Sequence, residues 1–370
     1  MGGTDGTPQD LDDAPVKGLT DEDFQELREK MIENGKSCPS AWIQEAIRSH
    51  KDLCKNYRHI QTLVSVWAEN WAITKQQYID LLSRDQKQAI IHSLEGSCVQ
   101  EDWEVLLSRL PGSVRESITS IFLETLILHK IHIQILEAPF WYLDGKLAPI
   151  KDGNDNSVPD KDDSNKSAPD DDGNDRDKTF PPRLQYLYAR FLKTNPFRAA
   201  LWKTETIRLA NSVDKVQAPN TDFGHYNRKC RIAALPNMVK DLIASYPISL
   251  LLRNLSNKEE ESARYNEMLR IFKHAADIST LHAAQRGREE FHRDLEKYET
   301  FTQGSDNMVA HHYHFPDKRD TRLDGRRVLL VVHPAVSIKL YNISVELPNV
   351  HTKAAVVVED PEESVKDGAK

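Results

Sequence analysis

The sequence predicts a mainly α-helical protein: a helical bundle with a disordered acidic insert and a small C-terminal β hairpin or sheet. Three observations predict this class. Apolar residues recur at helical spacing behind capping motifs on both sides of a polar segment. That segment is acidic and nearly free of large apolar residues. Close to the C-terminus, β-branched runs replace the helical periodicity.

Shifts in composition divide the 370 residues into six segments. These are a disordered N-terminus (1–18), a helical region (19–148), a disordered acidic low-complexity insert (149–179), a second helical region that packs on the first (180–302), a His-rich loop with a small β element (303–358) and a disordered tail (359–370). The pattern leaves open whether the two helical regions form one domain or two. We favour one, because a long connecting loop adds little closure entropy.

Helix starts in both regions carry capping signals. These signals occur at Thr20-Asp-Glu-Asp23, Ser40, Thr74-Lys-Gln-Gln77, Ser113-Val-Arg-Glu116 and Asn195-Pro196. The signal at Ser113-Val-Arg-Glu116 begins the most apolar helix, which we expect over about 114–137. A further cap at Ser256, with Glu259 behind it, predicts a long helix over 257–300, with Gly287 as its weak point. A helix of this length either anchors the bundle or forms a coiled coil with a protein partner.

The insert is expected to remain disordered. Residues 151–178 hold ten Asp against five Lys and Arg, and the segment contains no aromatic residue. Alternating Asp and Asn also suggest a calcium loop, but no glutamate closes a twelve-residue loop there. We therefore favour a solvated, disordered segment.

Three short β-branched stretches follow the helices. They are RRVLLVVHPAV, SIKLYNISVEL and TKAAVVVED, separated by Pro and Asn, and they predict two or three strands. A small sheet that packs on the helices is the simplest arrangement.

Composition also limits the cellular compartment and the classes of binding partner that we expect. Four widely spaced cysteines give no metal or disulfide pattern, and the N-terminus lacks a secretory signal, so we expect a cytoplasmic protein. The apolar stretch 118–136 is interrupted by Glu124 and by Lys130, which argues against an integral membrane segment. Net charge is −8, without the basic stripe that nucleic-acid binding requires. Oligomeric state cannot be read from the sequence.

The densest set of metal-capable residues lies in MVAHHYHFPDKRD, residues 308–320. In an extended segment His312 and His314 would project to one face and His311 to the other. Two of these imidazoles could bind a divalent metal, with His333 or Asp317 as a third ligand. The alternative is a surface loop with solvated or packed imidazoles.

Two other groups are candidates for a ligand pocket. Phe140, Trp141 and Tyr142 form an apolar stretch behind Pro139. Polar side chains follow at Asp222, His225, Tyr226 and Arg228, next to the predicted helix over 195–212. For the aromatic stretch we favour packing across the bundle over ligand binding.

Motifs for catalysis are sparse. The chain has no nucleophile elbow, phosphate-binding loop or zinc-protease motif, so whether it is an enzyme stays undecided. One Glu-x-x-His pair, Glu289 with His292, has the spacing found in di-iron bundles, but no second pair accompanies it. We expect this polar stretch, REEFHRD, to be a solvated helix face.

Five stretches suggest a relationship. They are W-x-x-x-W at Trp67 and Trp71, APFWYLDG at 138–145, FRAALWKTETIRLANS at 197–212, DFGHYN at 222–227 and VVHPAVSIKL at 331–340. Together they resemble the uncharacterised, mostly helical proteins common in filamentous fungi. The resemblance covers most of the chain outside the insert and the termini, and it implies a fold and a source but no activity.

The leading expectation is therefore a cytosolic, non-catalytic binding or scaffold protein. It would bind a small apolar ligand in the bundle or a protein partner through the long helix. The alternative is a metal-dependent enzyme that uses the cluster of His311, His312 and His314.

Overall fold

In a computed structural model of the chain, the described residues are 40–74, 79–145, 179–213, 219–285, 288–315, 321–339 and 352–360. The predicted disordered N-terminus (1–18), nearly all of the insert (149–179) and residues 361–370 of the tail lie outside them. Helices in the described part are α1 (Ser40–Trp71), α2 (Arg84–His92), α3 (Trp103–Ser108), α4 (Gly112–Glu116), α5 (Ile118–Ile131), α6 (Phe180–Thr194), α7 (Pro196–Ala210), α8 (Asp222–Ala244), α9 (Tyr246–Leu251) and α10 (Lys258–Ala283). The mainly helical class is confirmed.

Helix α5 lies at the centre of the core and continues as a π-helical turn, His132–Leu136. It packs against α1, α9 and a C-terminal strand. Its side chains are apolar on all faces, as expected for a helix surrounded by protein. By length and composition alone, Ile118–Leu136 could cross a membrane, with mean hydropathy 1.2. Since 78% of this stretch is buried inside the protein, it has the character of a core helix.

The main hydrophobic core contains residues from both sides of the insert. Trp67 of α1, Phe122 of α5, Leu235 of α8 and Phe272 of α10 all belong to it. The two helical regions therefore contribute residues to the same hydrophobic core.

The predicted helix over 257–300 is wrong at its C-terminal end. Helix α10 begins behind Asn257, whose side chain accepts a hydrogen bond from the Glu260 amide at 2.8 Å, and it ends at Ala283. The stretch that follows forms a strand instead, because it pairs with a strand from the C-terminal region. The apolar face of α10 packs on α1 and α8 within the same chain, so the helix anchors the bundle.

The C-terminal region holds two small sheets. Strands β1 (Arg288–His292) and β4 (Ala335–Lys339) pair antiparallel, while β2 (Met308–Ala310), β5 (Ala354–Val358) and β3 (Val328–His333) form a three-stranded mixed sheet in that order. The predicted small β element is confirmed, and β1 and β2 are additional to the three predicted stretches. The tail was predicted to be disordered from residue 359, yet Glu359 forms an ion pair with Arg109 at 2.7 Å.

Candidate metal centre

Glu124 is a carboxylate in the middle of the most apolar helix. It lies on α5 and is only 1% exposed. An ionised carboxylate at such a position is costly unless charged or polar partners face it. Two histidines from the C-terminal sheet supply those partners.

The sheet places the two histidines by main-chain pairing. His311 directly follows β2, and its amide donates to the Val356 carbonyl at 2.8 Å, which extends the pairing with β5 by one residue. His333 is the last residue of β3 and lies opposite Ala355 of β5. Because β2 and β3 flank β5, both imidazoles come from the same sheet, and β3 packs directly on α5.

The three side chains lie close to one another. His333 Nε2 lies 2.5 Å from Glu124 Oε1, and His311 Nε2 lies 3.5 Å from Glu124 Oε2. One ligand atom from each residue lies within 4.8 Å of the other two. Two imidazole nitrogens and a carboxylate oxygen form the donor set of several zinc and non-haem iron sites. We refer to Glu124, His311 and His333 as the His–Glu cluster.

His311 lacks the hydrogen bonds that a buried imidazole normally makes. It is 1% exposed, and neither ring nitrogen forms a hydrogen bond of normal geometry with a described residue. Its closest approach, to Glu124, is an electrostatic contact at the limit of hydrogen-bonding distance. Buried polar atoms are nearly always paired, so this imidazole has capacity for a further partner.

The pKa shifts of Glu124 and His311 favour the protonation states that bind a cation. Burial by itself would raise the pKa of Glu124, but the facing His333 and His311 outweigh it and hold this pKa at about 2. Burial lowers the pKa of His311 below its usual value, against the opposing effect of Glu124. At neutral pH the carboxylate is therefore charged and the His311 imidazole is neutral, which are the forms that bind metal ions.

The other two histidines of the sequence cluster point elsewhere. His312 is 52% exposed and lies 3.5 Å from Glu69 at the surface. His314 is buried, and its Nε2 accepts a hydrogen bond from the Val358 amide at 3.0 Å. The expectation that His312 and His314 face one side of an extended segment is wrong, because residues 312–314 form a 3₁₀ turn that separates them. Asp317 lies outside the described residues.

The aromatic ligand-pocket candidates lie in a separate packed cluster. Phe140 and Tyr142 are buried there with Tyr188, and Trp141 is partly buried beside them. Phe140 packs edge-on against Tyr188, and the Tyr142 hydroxyl accepts a hydrogen bond from the Asn211 amide at 2.5 Å. In this arrangement the aromatic rings contact one another.

The polar candidates that follow lie in the first two turns of α8. Asp222, His225 and Arg228 are exposed. Tyr226 is partly buried, and its hydroxyl donates to Asp144 at 2.8 Å. Among the described residues, neither these four side chains nor Phe140, Trp141 and Tyr142 line the cavity that lies beside α6 and α7.

Sequence reasoning missed Glu124 as a candidate ligand. Its signal was a lone carboxylate within an otherwise apolar helix, which the sequence analysis used only as an argument against a membrane segment. A buried charge needs a partner, so pairing that carboxylate with the His-rich loop was the available inference.

The chain matches no protein-family model, no curated protein and no solved structure.

Proposed function

We propose that this chain binds one divalent transition-metal ion, zinc in the first instance, through Glu124, His311 and His333. The observation that carries the proposal is that three metal-capable residues, on α5, directly after β2 and at the end of β3, bring one ligand atom each to within 4.8 Å of the other two. Two of these residues lie more than 180 residues from the third along the chain. A metal ion bound by these three residues would link the helices to the C-terminal sheet.

The metal-free alternative is a buried ion pair. In that case His333 and Glu124 share a proton, and His311 adds a weak electrostatic contact. This alternative leaves a buried imidazole without a hydrogen bond, whereas a metal ion satisfies it. A divalent ion would also replace the shared proton, because a ligating histidine binds through a deprotonated nitrogen.

Three protein ligands leave one position of a tetrahedral zinc site for water or a ligand. His333 is the most accessible member of the cluster, with 15% of its side chain exposed. A zinc-bound water has a pKa of about 7 and is a competent nucleophile. The metal-dependent enzyme expected as the alternative from the sequence would therefore use the His–Glu cluster in place of His312 and His314.

The test is the metal content of protein prepared without a histidine tag and without chelator. Inductively coupled plasma mass spectrometry should find about one zinc, iron or manganese ion per chain, or one after zinc is added and excess removed. His311→Ala and Glu124→Gln should lose it, while His312→Ala should keep it, because the exposed His312 imidazole faces Glu69 at the surface. A wild-type chain that takes up no zinc, or equal loss in His312→Ala, would contradict the proposal.

Zinc should also raise stability in proportion to its affinity. At a free concentration 100 times the dissociation constant, binding to the folded state adds about 2.7 kcal/mol to the free energy of unfolding. The rise should be absent from Glu124→Gln. A stabilisation of equal size in both proteins would place the zinc at another site.

A further inference from the structure

A cavity of about 410 Å³ lies outside the His–Glu cluster and shares no residue with it. It opens between the end of α10, strand β1 and helices α6 and α7. Its walls combine apolar with polar side chains, among them Leu136, Tyr188, Phe291, Lys203, Glu289 and Gln185. Two of these are ionisable: Lys203 is buried, and Glu289 is partly buried, with 14% of its side chain exposed.

Lys203 belongs to the wall formed by α7. It is 6% exposed, which is rare for lysine. Neighbouring side chains fix this wall against the end of α10: Thr204 Oγ1 donates to the Gln285 carbonyl at 2.8 Å, and Arg208 Nε donates to the Ala284 carbonyl at 3.0 Å. The amine is therefore held at the cavity by a rigid helix rather than by a loop.

Glu289 faces the same cavity from β1, where it pairs with Ile338 of β4. Its Oε1 lies 3.8 Å from the buried His282 Nδ1. The prediction of a solvated helix face for this stretch is wrong, because strand pairing brings Glu289 inward. Burial raises the pKa of Glu289 against the opposing effects of Lys203 and Tyr57.

Burial also lowers the pKa of Lys203, against the opposing effect of Glu289. The pair has two forms with the same total charge and the same number of protons. One is a neutral amine with a neutral carboxylic acid, and the other is an ammonium with a carboxylate. Desolvation favours the neutral forms of both groups. His282 adds no charge at neutral pH, because burial and the nearby Lys203 lower its pKa to about 3.

One polar group of the lining has unused capacity. The Gln185 Oε1 atom on α6 is buried and accepts no hydrogen bond from a described residue. Buried amide oxygens are nearly always paired, so this atom is available to a donor group of a ligand. The cavity thus offers an amine, an acid and a free acceptor among apolar walls.

We propose that this cavity binds a small carbonyl compound and that Lys203 condenses with it to form an imine, with Glu289 as the proton donor. Buried lysines beside an acidic group are suited to this chemistry, because only the neutral amine is a nucleophile. The proposal is independent of the metal site.

The step balances without an oxidant or reductant. The Lys203 nitrogen forms a bond to the carbonyl carbon, the carbonyl π pair moves to oxygen, and a proton passes from nitrogen to that oxygen to give a carbinolamine. Glu289 then donates its proton to the hydroxyl group, the carbon–oxygen bond breaks and water leaves. The product is a protonated imine on Lys203 paired with the Glu289 carboxylate.

Reductive trapping tests the proposal on the full native chain. The protein would be incubated at neutral pH with benzaldehyde or pyruvate and sodium cyanoborohydride, and then digested for peptide mass spectrometry. Lys203 should be labelled by at least one probe about tenfold faster than Lys297, because burial lowers the pKa of Lys203 and so favours its nucleophilic, neutral amine. Lys297 is the matched control because it lines the same cavity, with its side chain 52% exposed.

Variants separate the roles of the two groups. Lys297→Arg should leave the labelling of Lys203 unchanged, and Glu289→Gln should slow it because the proton donor is lost. Labelling of Lys203 no faster than of Lys297 in the wild-type protein would overturn the proposal and leave a structural ion pair. That comparison is made within one folded molecule, so it does not depend on any variant being stable.

Discussion

Replacing Glu124 by Gln should destabilise the metal-free protein by about 2–4 kcal/mol. The substitution keeps the size of the side chain and removes the charge that His333 and His311 face. The pKa of Glu124 is held at about 2 instead of 4.5. At about 1.4 kcal/mol per pH unit, this lowered pKa means that the ionised Glu124 adds about 3 kcal/mol to the free energy of unfolding at neutral pH, relative to a carboxyl group with the ordinary pKa in the unfolded chain.

Glu69→Gln is the matched control. Glu69 lies 3.5 Å from His312, with 43% and 52% of the two side chains exposed. The same loss of charge in an exposed pair should cost less than about 1 kcal/mol. The two substitutions therefore differ in burial and geometry while the chemical change is identical.

Urea unfolding in the presence of EDTA measures the difference. The buried indoles of Trp67 and Trp71 on α1 provide the fluorescence signal, and far-ultraviolet circular dichroism follows the helices. If the two variants lose stability equally, to within about 0.5 kcal/mol, the ionised Glu124 does not stabilise the fold and the electrostatic reasoning fails.

Three further predictions concern the core. Burial and Lys203 lower the pKa of His282 to about 3 in the folded protein, whereas a histidine in the unfolded chain has a pKa near 6.5, so the unfolded state binds more protons below that pH. The free energy of unfolding should therefore fall by about 1–2 kcal/mol from pH 6.5 to pH 5 in the wild-type protein and by less in His282→Gln; an equal fall in both would refute this origin. Gly224→Ala should lower stability by about 3 kcal/mol in thermal unfolding, because a Cβ atom would lie 2.1 Å from the Ser212 carbonyl oxygen; an unchanged melting temperature would contradict that packing. Phe272→Ala should cost about 3–5 kcal/mol in urea unfolding against less than about 1 kcal/mol for the half-exposed Val66→Ala, and similar losses would disprove the assigned core.

The helices were predictable because their signals are local. The apolar helix expected over about 114–137 appears as α4, α5 and the following π-helical turn, and Asn195 caps α7 through the Arg198 amide at 3.0 Å. The error at the end of α10 has a different cause. A polar stretch there forms β1, and the partner that makes it a strand lies about 45 residues further along the chain.

The candidate site could be predicted only in part for the same reason. The density of histidines singled out His311, and His333 was one of two candidates for a third ligand. The sequence could not show that the 3₁₀ turn at 312–314 directs His312 outward and His314 to a main-chain amide. Glu124 completes the cluster from nearly 190 residues away along the chain. Lys203 and Glu289 likewise line one cavity through tertiary packing; Lys203 has no local sequence signature, and the Glu-x-x-His spacing of Glu289 gave no indication of this cavity.

The most direct test of the account is the position of a bound metal. Crystals grown with zinc would be measured on both sides of the zinc absorption edge, and an anomalous difference map would locate the ion. The account predicts one strong peak within about 2.0–2.2 Å of nitrogen atoms of His311 and His333 and of a Glu124 oxygen. A map without a peak there, or with zinc only at exposed groups such as His312, would contradict it.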